Sequence, residues 1–158
     1  MRIRALMAKD RAGLERMLRE VAVFTEEEIG VALELIDIVL ENQHQKDYQV
    51  ACAVDVHDRP IGYICYGPAP MTRGTYDLYW IAVDPKVQGQ KIGSTLLAFL
   101  EDRLRSSRGR MLLVETSSLP SYQKAQTFYR ARGFQEVARI ADYYWEGNDR
   151  ITFCKRIV

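Results

Sequence analysis

A mixed α/β (α+β) fold follows from three features of the sequence. Helical periodicity dominates the residues before Tyr48, and strand periodicity takes over from there. A strand–helix–strand crossover then sits mid-chain, with strands near residues 75 and 111 and a helix from about residue 91. No linker, repeat or low-complexity segment interrupts the pattern, which predicts one domain over residues 1–158.

Residues 1–6 alternate as a short strand does. From about Lys9 to Val21, Leu14, Met17 and Leu18 fall at i, i+3 and i+4, the spacing of one helix face. Thr25, followed three residues later by Glu28, has the form of a capping box. It opens a helix with Ile29, Ala32, Leu33, Ile36 and Leu40 on its apolar face. The short apolar connection Ala22–Phe24 is expected on an exposed loop. "YQVACAVDV", "PIGYICYG" and "TYDLYWIAV" are rich in β-branched and aromatic residues and read as strands. His57–Pro60 and "PAPMTRG" carry the turn residues between them.

After Val83 a Gly-containing loop opens a third helix striped by Ile92, Leu96, Leu97, Leu100 and Leu104. "RMLLVET" is a buried strand, and "SYQKAQTFYRARGF" a fourth helix closed by Gly133 at C′. Two last strands, near Gln135–Tyr144 and Arg150–Ile157, flank a turn placed at Gly147-Asn148-Asp149. The predicted order is β-α-α-β-β-β-α-β-α-β-β, about seven mostly antiparallel strands flanked by four helices.

Composition narrows the chemistry. A formal charge of +1 provides no global field for nucleic acid or an anionic membrane. The apolar runs fall far short of the roughly 20 residues that span a bilayer, and "MRIRALMAKDRAG" has no signal-peptide core. A cytoplasmic location is the default expectation. Cys52, Cys65 and Cys154 lie in strand-like runs without CxxC spacing, as buried inert thiols would. His44 and His57 have no partner at ligand spacing, so neither a metal site nor a histidine triad is expected.

The segment "VDPKVQGQKIGSTLL" holds the strongest chemical signal. A strand ends at Val83 and a helix begins near Lys91, so the first helical amides face outward at the positive end of the dipole. Gly89 and Gly93 let an anion approach the backbone, Gln88 is placed to brace the loop, and Lys91 adds charge. An ordinary strand–helix turn has the same pattern. There is no GxxxxGK[ST] and no GxGxxG, which excludes a P-loop and a Rossmann loop.

"QGQKIG" resembles the Q/R-x-x-G-x-G/A motif of the GCN5-related N-acetyltransferase (GNAT) superfamily, departing from it at the central glycine, where Lys91 stands. The resemblance implies a GNAT-type fold and acetyl-CoA as co-substrate. Its pyrophosphate would lie on the amides from Gly89 through Gln90, Lys91, Ile92 and Gly93 to Ser94. "WIAVDP" is similar to the family's fourth strand, whose backbone here, at Ile81, Ala82 and Val83, would pair with the pantetheine arm as an added strand.

A second match follows. Ala125, Phe128 and Tyr129 share one helix face, which by itself suits a core helix. "A-x-x-FY-x-x-x-GF" is also similar to the family's fourth-helix signature. That implies Ala125 and Phe128 against the cofactor and the Tyr129 hydroxyl beside its sulfur. A neutral phenol, with an ordinary pKa of about 10, can protonate a departing thiolate.

The amine acceptor must lose a proton before it attacks. Asp77, on one face with Tyr79 and Ile81 by strict alternation, resembles the glutamate base of histone-type members. Glu115, at the end of "LLVET", resembles the acidic position of ribosomal-protein N-terminal acetylases and has a slight lead, since sites gather at strand ends. Both also suit solvated strand ends, and a water chain is a further option. Where the family carries an Asn, this chain has "TSSLPSYQ". Ser117, Ser118 or Ser121 is a candidate to bond the pantetheine, Ser121 equally an N-cap, and Tyr122 a candidate to line the cofactor.

For the acceptor, the resemblance points to the connection between the first two helices and to the final hairpin. Phe24, Tyr79 and Tyr144, with Tyr143 and Trp145, are candidates for an aromatic wall, and Glu26, Glu27 and Asp142 for an acidic rim. The acceptor is a small-molecule amine or a protein amino group. The same aromatics suit a homodimer interface. The expected activity is N-acetyl transfer within a ternary complex; the alternative is a non-catalytic acyl-CoA-binding module of the same fold.

Overall fold

Strands from both halves of the chain join in a single sheet, which the helices cover on both faces. A computed structural model describes residues 1–158. The elements run β1 (Arg2–Ala5), α1 (Arg11–Glu20), α2 (Glu26–Glu41), β2 (Gln49–Val54), β3 (Pro60–Pro68), β4 (Thr75–Val83), α3 (Ile92–Ser106), β5 (Met111–Ser117), α4 (Gln123–Ala131), β6 (Gln135–Trp145) and β7 (Asn148–Arg156). The predicted order holds throughout. The seven-stranded sheet is ordered β1-β2-β3-β4-β5-β7-β6. Only β4 and β5 are parallel, as a crossover through α3 requires.

Helix signals read locally are realised locally. Thr25 Oγ1 accepts from the Glu28 amide and Glu28 Oε2 accepts from the Thr25 amide, the two halves of a capping box. At the end of α4, Gly133 takes φ 84°. The Phe134 amide then reaches the Tyr129 carbonyl at 3.1 Å, and the Gly133 amide the Arg130 carbonyl at 3.1 Å. This left-handed C-terminal motif sets the Phe134 ring 5.5 Å from that of Tyr129.

Two cores lie on opposite faces of the sheet. The leucine stripe of α3 packs with Ile64, Leu78, Leu112, Val114, Tyr129, Phe134 and Phe153 on one. Leu14, Leu18, Ile29 and Ile36 of α1 and α2 cover Cys52, Tyr63 and Cys65 on the other. Burial pushes the Cys52 and Cys65 thiols up to about 12, so neither is a thiolate at neutral pH. The Tyr63 hydroxyl is buried with no hydrogen-bond partner. Removing an unpaired buried hydroxyl removes its desolvation penalty, about 1–3 kcal/mol. Tyr63→Phe should therefore leave the denaturation midpoint unchanged or raise it; a clear loss of stability in urea melts would show that the hydroxyl has a partner.

Three local expectations change. Phe24 is half-buried rather than loop-exposed, its ring 5.5 Å from that of Trp80, so the apolar α1–α2 connection closes over the sheet. The last hairpin turns at Glu146-Gly147 and not at Gly147–Asp149. Trp145 pairs with Asn148, and Gly147 takes φ 83°. Ser121 caps nothing: α4 begins at Gln123 after a 3-10 turn at Pro120–Tyr122.

Candidate active site

The central feature is where the β4–β5 ladder stops. Parallel pairing runs only from Thr75–Leu78 against Met111–Val114. Tyr79–Val83 keep β3 on one side but no strand on the other. A row of backbone donors and acceptors along the second half of β4 thus borders a gap in the middle of a sheet, open to an extended ligand.

A bulge lies at the start of this stretch. Cys65 pairs with Trp80 and Tyr66 with Leu78, so Tyr79 is an extra residue. Strict alternation, which places Asp77, Tyr79 and Ile81 on one face, fails here. Tyr79, Trp80 and Ala82 pack toward α1 and α2, whereas Ile81 and Val83 pack toward α3. The inserted residue reverses the facing of every position after it.

The gap leads to the start of α3. Gly89 takes φ 86° and Lys91 φ 60°, so the central position of the loop motif adopts the left-handed conformation even without glycine. A side chain there costs about 1–2 kcal/mol. The first backbone bond of the helix runs from the Thr95 amide to the Lys91 carbonyl at 3.0 Å. The amides of Ile92, Gly93 and Ser94 precede it and have no partner within the chain, the condition for anion binding at a helix N-terminus. Gln88 and Gln90 are exposed. Gln88 does not brace the loop: the fixed contact is Asp84 Oδ1, which accepts from the Lys86 amide at 2.9 Å.

Helix α4 borders the same gap. Ala125 and Phe128 pack against the core together with Ile81 and Val83. A Cβ built on Gly93 would lie 3.4 Å from Phe128 Cε2, an ordinary contact distance, so the α3 start and the α4 ring lie side by side. Tyr129 is 6% exposed, its ring 5.5 Å from Phe128 and 5.9 Å from Phe153. Burial alone pushes its phenol well above the ordinary tyrosine value, so it is a neutral donor throughout the working pH range.

Acidic groups gather on the opposite, α1–α2 side. Asp77 is half-buried; burial, then the nearby Glu115 carboxylate, raises its pKa. Glu115 is exposed, one residue beyond the last β4–β5 pair, with Arg150 at 3.6 Å. Tyr79 packs edge-on to Tyr48 at 5.2 Å, and burial with Asp77 lifts its phenol to about 12. Tyr144 is raised by burial and by Glu115. The structure thus brings Asp77, Tyr79, Glu115 and Tyr144 together, and Phe24 joins them through Trp80.

Several assignments shift. Ser117 hydrogen-bonds Asn148 and accepts from the Leu119 amide, and Ser118 accepts from the Asp149 amide, so both serines tie β5 to β7 rather than facing a ligand. The Tyr122 hydroxyl donates to Glu28, linking the turn before α4 to α2. Glu26, Glu27 and Asp142 are all exposed; Glu26 pairs with Arg19 at 2.6 Å and Asp142 accepts from the Gly147 amide, which leaves Glu27 as the member of the expected rim without a partner. Sequence reasoning missed Glu28, legible only as a cap, and Arg150, an unremarkable strand residue. Arg150 lies 4.5 Å over the Tyr143 ring, its Nε buried without a partner. No group of three or more His, Cys, Asp or Glu is placed to hold a metal ion, and no helix is long and apolar enough to cross a membrane.

Comparison with known proteins adds to this geometry. Residues 46–136 match the family profile of the acetyltransferase (GNAT) domain. A GNAT-family protein from Desulfovibrio desulfuricans has a solved structure similar to this chain, with 36% identity, 99% of each chain covered and a TM-score of 0.94. An aminoglycoside 6'-N-acetyltransferase complexed with coenzyme A is 18% identical, covering 100% of this chain and 98% of that one at a TM-score of 0.79. The ribosomal-protein-S18-alanine N-acetyltransferase of Escherichia coli is 21% identical, covering 99% and 93%, at 0.76. No curated protein matches the chain. The two more distant likenesses concern the fold alone.

Proposed function

The chain belongs to the GNAT acetyltransferase family, and from that premise we propose that residues 1–158 are one acetyl-CoA-dependent N-acetyltransferase domain acting on a primary amine by direct transfer. The observation that carries this is the continuity of the unpaired edge of β4 with the unpaired amides of α3. An extended pantetheine arm fits the first and a pyrophosphate the second. Nothing lies within 4 Å of a Cβ built on Gly89, so the loop has room for the anion.

In this proposal acetyl-CoA supplies the acetyl group as a thioester and departs as the thiol. The backbone of Ile81–Val83 orients the pantetheine, and the amides of Ile92, Gly93 and Ser94 hold the pyrophosphate. Tyr129 Oη holds the proton for the departing sulfur. Glu115, exposed at the mouth of the gap, takes the proton from the acceptor ammonium, and Asp77 behind it shares that charge. Tyr144, Tyr79 and the Phe24–Trp80 pair line the acceptor side. The acceptor is a small-molecule amine or a protein amino group; the surplus of carboxylates over Arg150 favours a cation.

Titrating the protein with acetyl-CoA, CoA and ATP while recording melting midpoints tests the binding step by linkage. Thiol release with a panel of amines tests transfer. Stabilisation by acetyl-CoA without thiol release on any amine would favour a non-catalytic acyl-CoA-binding module, and no stabilisation would overturn both.

The carboxylate pair predicts a pH signature. Asp77 must be ionised to share the proton, so the acid limb of kcat/KM that reports Asp77 lies above the ordinary aspartate value, raised by burial and then by Glu115. Glu115→Gln deletes the like charge beside Asp77. It should slow turnover about 10- to 100-fold and move the acid limb to lower pH, because the remaining carboxyl becomes easier to ionise. An unmoved limb in both Glu115→Gln and Asp77→Asn would assign the proton to water.

A further inference from the structure

One cation beside the α3 start has no role in the scheme above. Arg132, half-buried at the end of α4, lies flat on Phe128, its guanidinium carbon 3.9 Å from the ring centroid. One N–H donates to the Phe128 carbonyl at 3.3 Å, and another donates to Ser94 Oγ. Its neighbours on this face have acidic partners: Arg130 pairs with Glu136 at 3.2 Å and Lys155 with Glu101 at 2.6 Å. No carboxylate lies within ion-pair distance of Arg132.

That placement opposes simple electrostatics. Ser94 is in the first turn of α3, where the helix dipole already concentrates positive charge and a cation is disfavoured. Stacking on the ring and two neutral acceptors hold the guanidinium there nonetheless. A guanidinium has five N–H donors in a planar fork, and only two of these bonds are formed. The stack fixes the plane of the fork, and the Phe128 ring beneath it borders Gly93. A rigid, unneutralised cation next to three unpaired amides lacks only an anion.

We propose that Arg132 is a phosphate-binding residue, the charged arm that completes the amide cradle of α3. The assignment rests on the acetyl-CoA reading of the site. The ligand chemistry is a phosphate group, which a guanidinium fork bonds bidentately. CoA offers two sources, its pyrophosphate and its ribose 3'-phosphate.

Calorimetric titration of acetyl-CoA and its 3'-dephospho analogue into wild type, Arg132→Gln and Arg132→Lys tests this, with melting midpoints measured on the same samples. Arg132→Gln retains a hydrogen-bonding amide but no charge, and should bind acetyl-CoA roughly 10- to 100-fold more weakly, the scale of a lost charge-assisted contact. Arg132→Lys should recover part of that loss. If the Gln deficit persists with the dephospho analogue, the pyrophosphate is the partner; if it disappears, the 3'-phosphate is. A purely structural tie between α4 and α3 predicts a lower midpoint with unchanged affinity, and that outcome overturns the assignment, as does a Lys variant no better than Gln. Wild type that binds no acetyl-CoA overturns the acetyl-CoA reading and this assignment together. Wild type that binds while the Gln variant is unaffected overturns this assignment alone.

Discussion

Tyr129→Phe is expected to lower kcat roughly 10- to 1,000-fold, the scale of losing one proton donor or charge-stabilising contact at a leaving group. The ring lies against Phe128, Phe134 and Phe153, and Phe keeps all three contacts. Burial keeps the phenol protonated, so wild type should show no basic limb from this group below pH of about 10. Loss of kcat and kcat/KM together would mark a contact made mainly in the transition state. Affinity for acetyl-CoA and the melting midpoint should change little. A Phe variant with undiminished turnover per folded molecule removes Tyr129 from the chemistry and leaves it a core residue.

Gly93→Asp should weaken acetyl-CoA binding roughly 100-fold or more while leaving the protein folded. The new Cβ meets Phe128 at 3.4 Å, an ordinary contact. An aspartate in the first turn of α3 is favoured by the helix dipole, so the empty protein should melt no earlier. The same carboxylate faces any phosphate held by the unpaired amides. Two unit charges about 5 Å apart at an effective dielectric of about 20 repel by roughly 3 kcal/mol. Gly93→Ala, with the same Cβ and no charge, is the control and should bind nearly as wild type does. Equal affinities for wild type and the Asp variant would place the pyrophosphate elsewhere.

Signals contained within a few residues are legible in the sequence alone. Thr25 and Glu28 form the capping box that their spacing predicts. Gly133 closes α4 because a left-handed residue is needed there. Lys91 shows the limit of residue-type logic: a motif position that favours glycine keeps its φ of 60° with lysine in place, since the surrounding loop and helix determine the backbone. Contacts between distant segments are not legible in this way. Glu28 reads as a cap alone, although its second oxygen meets Tyr122 across the fold. Ser117 and Ser118 read as ligand contacts, because nothing near them in the chain announces β7 at their side.

Element order, the cap of α2, the end of α4 and the unpaired amides of α3 belong to the sequence itself, because capping and periodicity depend on neighbours a turn or less away. Tertiary structure alone decided which face Ile81 and Trp80 present, since the bulge at Tyr79 exists only against β3. It also brought Glu115 beside Asp77 and Tyr144, and set Arg132 on Ser94. Those juxtapositions join residues dozens of positions apart, and no local preference encodes a distance that only the closed sheet brings about.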